Sequence, residues 1–199
     1  MSGRSATGGT SSSTGPPRPG RRTADDPPHP SQTVGPFYGY ALPFPAGGDI
    51  ALGGIAVHGY VYDGAGDPVP DALLEFWQAD ETGEVRAAAG SLRRDPTTGA
   101  VLGRNGVVFT GFGRVGTDLD GHWTLRTVAP GNGYISVCVF ARGLLHHLYT
   151  RIYLAPDASP EGVPSERRHT LVAGEERDGV YRFDIHLQGE KETVFFDFG

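Results

Sequence analysis

The sequence has very little cysteine, because Cys138 is the only one among 199 residues. A single thiol forms no internal disulfide and cannot build a thiolate metal site by itself, which excludes both as frameworks for this chain. Cys138 lies in the apolar run from Ile135 to Phe140. The run predicts a buried free thiol that packs as a small hydrophobic group.

Long hydrophobic runs are also missing. No apolar stretch approaches the ~18 residues that indicate a membrane span, and the basic N-terminus lacks the apolar segment of a secretory signal. The net charge is −6, and four of the 17 basic residues lie in the first 22 positions. The rest of the chain therefore lacks the basic face expected of a nucleic-acid-binding protein. We expect a soluble, cytoplasmic chain.

What the sequence does contain is typical of an all-β protein. It has 31 glycines and 16 prolines, and a tenth of its residues are aromatic. This mixture suits many short strands joined by turns better than a helical bundle. Residues 1–30 are dominated by Gly, Ser, Thr, Pro and Arg without apolar periodicity, which predicts a disordered extension. Residues 31–199 have the length of one domain.

About eight short β-type runs are separated by Gly, Pro and Asp turn signals, which predicts a β-sandwich. The run from Val180 to Gln188 alternates apolar and polar residues with the two-residue period of a half-buried strand. A polar loop is expected from Asp80 to about Asn105. The other predicted strands are Ile55–Tyr62, Asp71–Ala79, His122–Val128, Tyr134–Phe140, His147–Leu154, Thr170–Ala173 and Thr193–Phe198.

Several stretches, taken in order, resemble one known family. They are the segment SQTVGPF at 31–37, VHGYVYD at 57–63 leading into LEFWQAD at 74–80, FARG at 140–143 with HLYTRIY at 147–153, and the C-terminal run YRFDI … QGE … ETVFFDF. The chain is similar to the intradiol ring-cleavage dioxygenases, and within them to the alpha chains of protocatechuate 3,4-dioxygenases. The matches cover residues 31–198.

The resemblance implies a β-sandwich of mixed topology and an αβ protomer that assembles further. It also implies that the complex opens the ring of protocatechuate with O₂ to give 3-carboxy-cis,cis-muconate, in the β-ketoadipate pathway of aromatic catabolism. The cofactor is a non-haem Fe(III), which two tyrosinates and two histidines of an H-x-H pair hold in the catalytic beta chain. This chain is expected to bind no metal and to be inactive alone.

The positions that correspond to the iron ligands carry other residues here. By the resemblance, Val85 stands at or near the first tyrosinate position, and Tyr134 and Ser136 stand at the two histidine positions. The loop that would bring the second tyrosinate is cut to Asn132-Gly133. The consecutive residues His146 and His147 should direct their rings apart, so they are not expected to form a metal pair.

The resemblance also gives this chain a part in its partner's substrate cleft, through Thr33, Val34, Gly35, Pro36 and Phe37 together with Arg142. The chemistry agrees, since Gly and Pro make a rigid backbone, an aromatic ring can lie against a planar substrate, and Arg142 can face a carboxylate. Two alternatives stay open: Gly35-Pro36 is a structural turn, and Arg142 forms an ordinary interface salt bridge. Family members often have Tyr where this chain has Phe37.

Two other functions are compatible with parts of the sequence. The opening from Val61 to Ala72 is shared with transthyretin-like and carbohydrate-binding sandwiches, which would make the chain a binding module. A self-sufficient intradiol dioxygenase acting on catechol or hydroxyquinol is the other alternative. The C-terminal run argues against the first, and the missing ligands argue against the second.

Overall fold

The computed structural model describes residues 42–51, 53–85, 92–104, 109–156, 160 and 162–198. The predicted extension at 1–30 and the expected cleft segment at 33–37 lie outside these residues. The strands are β1 (Ile55–Tyr62), β2 (Leu73–Gln78), β3 (Leu92–Arg94), β4 (Val101–Arg104), β5 (Phe112–Gly116), β6 (His122–Thr127), β7 (Tyr134–Phe140), β8 (Leu148–Tyr153), β9 (Gly174–Arg177), β10 (Val180–Arg182) and β11 (Ile185–His186), with a 3-10 helix at Ser165–Leu171.

Two sheets form the sandwich. In the first, β1 is central: it pairs antiparallel with β6 on one side and parallel with β10 and then β11 on the other, and β9 pairs with β10. The second sheet has the antiparallel order β5-β2-β7-β8. Parallel and antiparallel pairs therefore coexist, as the resemblance implied. No helix among the described residues is long and apolar enough to cross a membrane.

The core lies between the inner faces of the two sheets. Along β7, Ile135, Val137 and Val139 point inward and are buried, as expected from the two-residue period of a strand. Phe76 on β2 meets Trp123 on β6 across the layer, with ring centroids 5.2 Å apart. The prediction of an all-β sandwich is confirmed.

The predicted strand at Val180–Gln188 is interrupted. Its alternating burial is correct, but it forms two short strands, β10 and β11, with a break at Phe183 and Asp184. The backbones stay close at this point, since a Cβ on Gly59 would lie 1.9 Å from the Phe183 carbonyl oxygen and the Phe183 amide donates to the His58 carbonyl at 2.8 Å. At this point a carboxylate oxygen of Asp184 accepts the hydrogen bond from the Tyr60 amide (3.1 Å).

Three other expectations need correction. The predicted loop at 80–105 contains the β3–β4 hairpin, whose turn is made by Asp95 accepting hydrogen bonds from the amides of Thr97 and Thr98 (both 2.8 Å). In the predicted strand Thr170–Ala173, the first two residues belong to the 3-10 helix, and Val172 forms a single bridge to Tyr153. In the described C-terminal residues, Thr193–Phe198 forms a single bridge to Tyr149 and no strand. Short, exposed strands carry too little apolar pattern to be predicted.

Candidate functional site

The outer face of the second sheet carries Tyr134 and Ser136, two of the three residues that the resemblance predicts at iron-ligand positions. Tyr134 and Ser136 are two residues apart on β7 and so share this face, opposite the buried inner residues. Their partners across the β7–β8 ladder are Tyr153 and Arg151. Both residues therefore lie on one face of β7 and next to β8.

A fixed positive charge occupies this part of the face. The guanidinium of Arg151 lies over the Tyr134 ring, 4.4 Å from its centroid, and 5.3 Å from the centroid of Phe196. It also donates to the Tyr153 hydroxyl at 3.4 Å. Both rings hold the guanidinium by cation–π attraction. Because Arg stays protonated, a ferric ion here would meet an adjacent cation without imidazole donors. These residues do not fit Fe(III).

The third position, Val85, is 71 % exposed and its side chain has no donor atom. It follows a turn at Asp80–Glu84, in which an Asp80 carboxylate oxygen accepts hydrogen bonds from the amides of Thr82 (2.9 Å) and Glu84 (3.1 Å). The shortened loop packs on that turn, since the Gly131 amide donates to the Asp80 carbonyl at 2.8 Å. The loop that contains Asn132 and Gly133 therefore packs against the turn that precedes Val85.

Histidines do not supply a substitute site in the part of the chain that the structure describes, where no three His, Cys, Asp or Glu side chains converge in a metal-binding arrangement. The ring of His147 packs between Phe140 (5.5 Å) and Tyr149 (4.6 Å, edge-on). In these contacts the His147 imidazole packs as an aromatic ring. Cys138 is buried on the outer side of β7, as expected, and desolvation together with the charge of Glu75 raises its pKa to about 12.

Arg142 lies at the opposite end of the second sheet. It follows β7, whose six steps from Tyr134 to Phe140 cover about 20 Å at ~3.3 Å per residue. Its side chain is 56 % exposed, and its guanidinium is 3.3 Å from a carboxylate oxygen of Asp71, just before β2. β2 and β7 are antiparallel neighbours, so the start of one and the end of the other meet here. The structure does not bring Arg142 to the positions of Tyr134 and Ser136.

Between these regions, an aromatic cleft runs along the outer side of β8. Its volume is about 630 Å³, and its lining residues are His146, His147, Leu148, Tyr149, Phe195, Phe196, Asp197 and Phe198. Tyr149 and Phe198 are 40 % and 65 % exposed, and their rings meet edge-on at 5.4 Å. Exposed neighbouring aromatic rings of this kind are typical of a surface that another chain covers.

Sequence reasoning missed two residues of these sites. Arg151 shares one face of β8 with Tyr149 and Tyr153, so the strand period would have predicted its position beside Tyr134 if the β7–β8 register had been known. Asp71 gave no comparable signal, because it reads as an ordinary turn residue. Its contact with Arg142 depends on the pairing of two strands that are far apart in the chain.

Part of the sandwich is similar to known dioxygenases. The model of the family described as Dioxygenase matches residues 45–139, which run from the approach to β1 as far as β7. The dioxygenase domain of a carbohydrate-binding fusion protein from Streptomyces sp. SirexAA-E is 28 % identical, with a TM-score of 0.45 over 69 % of this chain and 82 % of that one.

Proteins that are similar over most of the chain identify its family. The protocatechuate 3,4-dioxygenase alpha chain of Burkholderia cepacia is 39 % identical, over 84 % of this chain and 96 % of its own length. The beta chain of the same organism is 29 % identical, over 70 % of this chain and 66 % of its own. The chain therefore belongs to the family of protocatechuate 3,4-dioxygenase alpha chains.

Proposed function

We propose that this chain is the alpha subunit of a protocatechuate 3,4-dioxygenase, which cleaves 3,4-dihydroxybenzoate with O₂ to 3-carboxy-cis,cis-muconate as a step of aromatic catabolism in the cytoplasm. One observation carries the proposal for this chain's own part. Arg142, the group suited to a substrate carboxylate, follows the end of β7, which along the strand is about 20 Å from Tyr134 and about 13 Å from Ser136, and Arg151 lies beside those two residues. A substrate bound to Arg142 must lie in another chain's cleft.

The other chain of this proposal is a beta-type sandwich that contributes both the tyrosinates and the H-x-H pair, and therefore the Fe(III). Support comes from the membership of this chain in the alpha-chain family and from its likeness to a beta chain. The two chains form a hetero-oligomer with the substrate near their contact. In this arrangement Thr33-Val34-Gly35-Pro36-Phe37 forms a second part of the cleft wall, beside Arg142.

The surface proposed to meet the beta chain is the Arg142 end of the second sheet together with the aromatic cleft. The two are continuous, because Phe140 at the end of β7 contacts His147, and His147 contacts Tyr149 in the cleft. Arg, Tyr and Phe are the residue types that interface centres favour. Phe198 is 65 % exposed, the highest exposed fraction among the Phe and Tyr residues of the cleft, and its burial against the beta chain would remove this apolar surface from water.

Reconstitution tests the function. Coexpression with an H-x-H-containing beta chain should yield a stable complex that consumes O₂ with protocatechuate, whereas this chain purified alone should carry no stoichiometric iron and show no turnover. Iron is measured by elemental analysis and by the tyrosinate-to-iron absorption band. Stoichiometric iron in the isolated chain, or full activity of the beta chain without this one, contradicts the proposal.

Substitution of Arg142 tests the carboxylate role. In the complex, Arg142→Ala should raise KM for protocatechuate more than KM for catechol, which lacks the carboxylate. A charge-assisted hydrogen bond contributes about 1.5–3 kcal/mol, which corresponds to roughly 10–100-fold. Arg126→Ala is the matched control, because Arg126 is also exposed and ion-paired, to Asp49, but lies on β6 in the first sheet. Equal effects of Arg142→Ala on both substrates would refute this role.

A further inference from the structure

Asp71 adopts a left-handed backbone conformation, which is uncommon for residues other than glycine. Its φ is +58°, in the left-handed region that glycine enters freely and other residues enter at a cost. Such a conformation persists only where the surrounding structure enforces it. Aspartate tolerates this conformation better than most residues, but glycine would relieve the remaining cost, so the local backbone alone does not require an aspartate.

One hydroxyl fixes the turn on both sides of Asp71. The Thr117 hydroxyl, just after β5, donates to the Val69 carbonyl (2.8 Å) and accepts from the Ala72 amide (2.9 Å). The Thr117 amide in turn donates to the Ala72 carbonyl at 2.8 Å. Thr117 is buried, so water does not compete for these bonds. The position and direction of the Asp71 side chain are thereby set by the sandwich itself.

The carboxylate that this turn presents is only partly satisfied. Its Oδ1 is buried with no hydrogen-bond partner in the described part of the chain, and its Oδ2 lies 3.3 Å from the Arg142 guanidinium. The Asp71 side chain is 19 % exposed, whereas that of Arg142 is 56 % exposed. A buried acceptor without a donor destabilises the fold. The backbone and the side chain of Asp71 therefore both lower the stability of the fold. The favourable interaction that this arrangement provides is the ion pair with Arg142.

We propose that Asp71 is a positioning residue, which holds the guanidinium of Arg142 in the direction that the substrate carboxylate requires. The inference rests on the proposed function of Arg142. Contact with Asp71 uses one Nη of the guanidinium, and the remaining N–H groups stay available for a second carboxylate in the fork geometry of arginine. A long exposed side chain that is oriented beforehand loses less conformational freedom when the substrate binds.

A double-mutant cycle in the reconstituted αβ complex tests the inference. Its readout is the ratio of kcat/KM for protocatechuate to kcat/KM for catechol, which a general loss of folded enzyme does not change. Asp71→Asn should lower this ratio roughly 3–10-fold, the smaller part of the Arg142→Ala effect. In the Arg142→Ala background, Asp71→Asn should leave the ratio unchanged, because no guanidinium remains to be positioned.

Asp71→Gly separates positioning from stability. Because glycine tolerates the positive φ, the Tm of the complex should stay equal or rise, while the ratio falls as with Asp71→Asn. Thr117→Val, which cannot form the two hydroxyl bonds, should lower the ratio, and Thr117→Ser should restore it.

The outcomes distinguish the two proposals. If Arg142→Ala lowers the ratio but Asp71→Asn and Asp71→Gly leave it unchanged or raise it, Asp71 is not a positioning residue and the proposed function stands. An equal fall in the ratio upon Asp71→Asn with and without Arg142 also excludes positioning, because Asp71 then acts independently of the guanidinium. If Arg142→Ala itself leaves the ratio unchanged, the carboxylate role and the positioning role are both wrong.

Discussion

The amide of Gln78, in the Trp-Gln-Ala segment that helped to identify the family, joins the two sheets from inside the core. It lies at the end of β2 and is 4 % exposed. Its Oε1 accepts a hydrogen bond from the Thr127 hydroxyl of β6 (2.7 Å), and its Nε2 donates to the carbonyls of Val128 (3.0 Å) and Ala79 (3.2 Å). We expect these bonds to make Gln78 and Thr127 energetically coupled.

The size of the coupling follows from which groups each substitution leaves unpaired. An unpaired buried polar group costs about 1–3 kcal/mol. Gln78→Leu leaves the Thr127 hydroxyl and the Val128 carbonyl without this amide, so it should lower the free energy of unfolding by about 3 kcal/mol. Thr127→Val leaves the Gln78 oxygen unpaired and should cost about 1–2 kcal/mol. The double variant removes the hydroxyl together with its acceptor, and should therefore cost about 3 kcal/mol rather than the sum.

Urea unfolding of the four proteins, followed by tryptophan fluorescence, measures this cycle. The expected coupling energy is about 1–2 kcal/mol. Thr124→Val is the matched control, because Thr124 lies on the same strand but is exposed, and it should change stability by less than about 0.5 kcal/mol. Additive costs in the double variant would show that the hydroxyl and the amide do not act as a pair, and would refute the reasoning.

Three further predictions concern other parts of the chain. Gly59→Ala should destabilise the fold by at least about 3 kcal/mol, because the new Cβ would lie 1.9 Å from a backbone oxygen. Gly174→Ala is the control, since a Cβ there has no atom within 4 Å, and it should be nearly neutral. The urea midpoints of unfolding of the two variants measure this difference. Cys138 should resist alkylation at pH 8 in the folded chain and react fully in urea, since its pKa is raised to about 12; rapid labelling of the native chain would contradict its burial. Burial lowers the pKa of His186, so this histidine binds a proton more readily in the unfolded chain, and stability should fall as the pH drops through about 6.5. His186→Gln should therefore make Tm less dependent on pH between about 5.5 and 8. An unaltered pH dependence of Tm would count against the role of His186.

Much of the fold could be predicted because its signals are local. The alternation along Ile55–Tyr62 and Tyr134–Phe140 reports which side chains face the core, and both predicted strands have the observed bounds. Val180–Gln188 kept its alternation of burial although the ladder breaks at Phe183, since burial follows side-chain period while hydrogen bonding follows the backbone of β1. The β3–β4 hairpin was missed because its strands are short and largely exposed.

For the candidate site, the sequence by itself determined the residue types at the predicted ligand-like positions, which are Val85, Tyr134 and Ser136, because the identity of a residue is read without coordinates. Only the tertiary structure decided what surrounds them: Arg151 over Tyr134, and Asp71 beside Arg142. The first contact requires the β7–β8 register, and the second requires the pairing of β2 with β7, which brings two residues together that are far apart in the chain. Such contacts arise from long-range packing, which no local pattern of residues encodes.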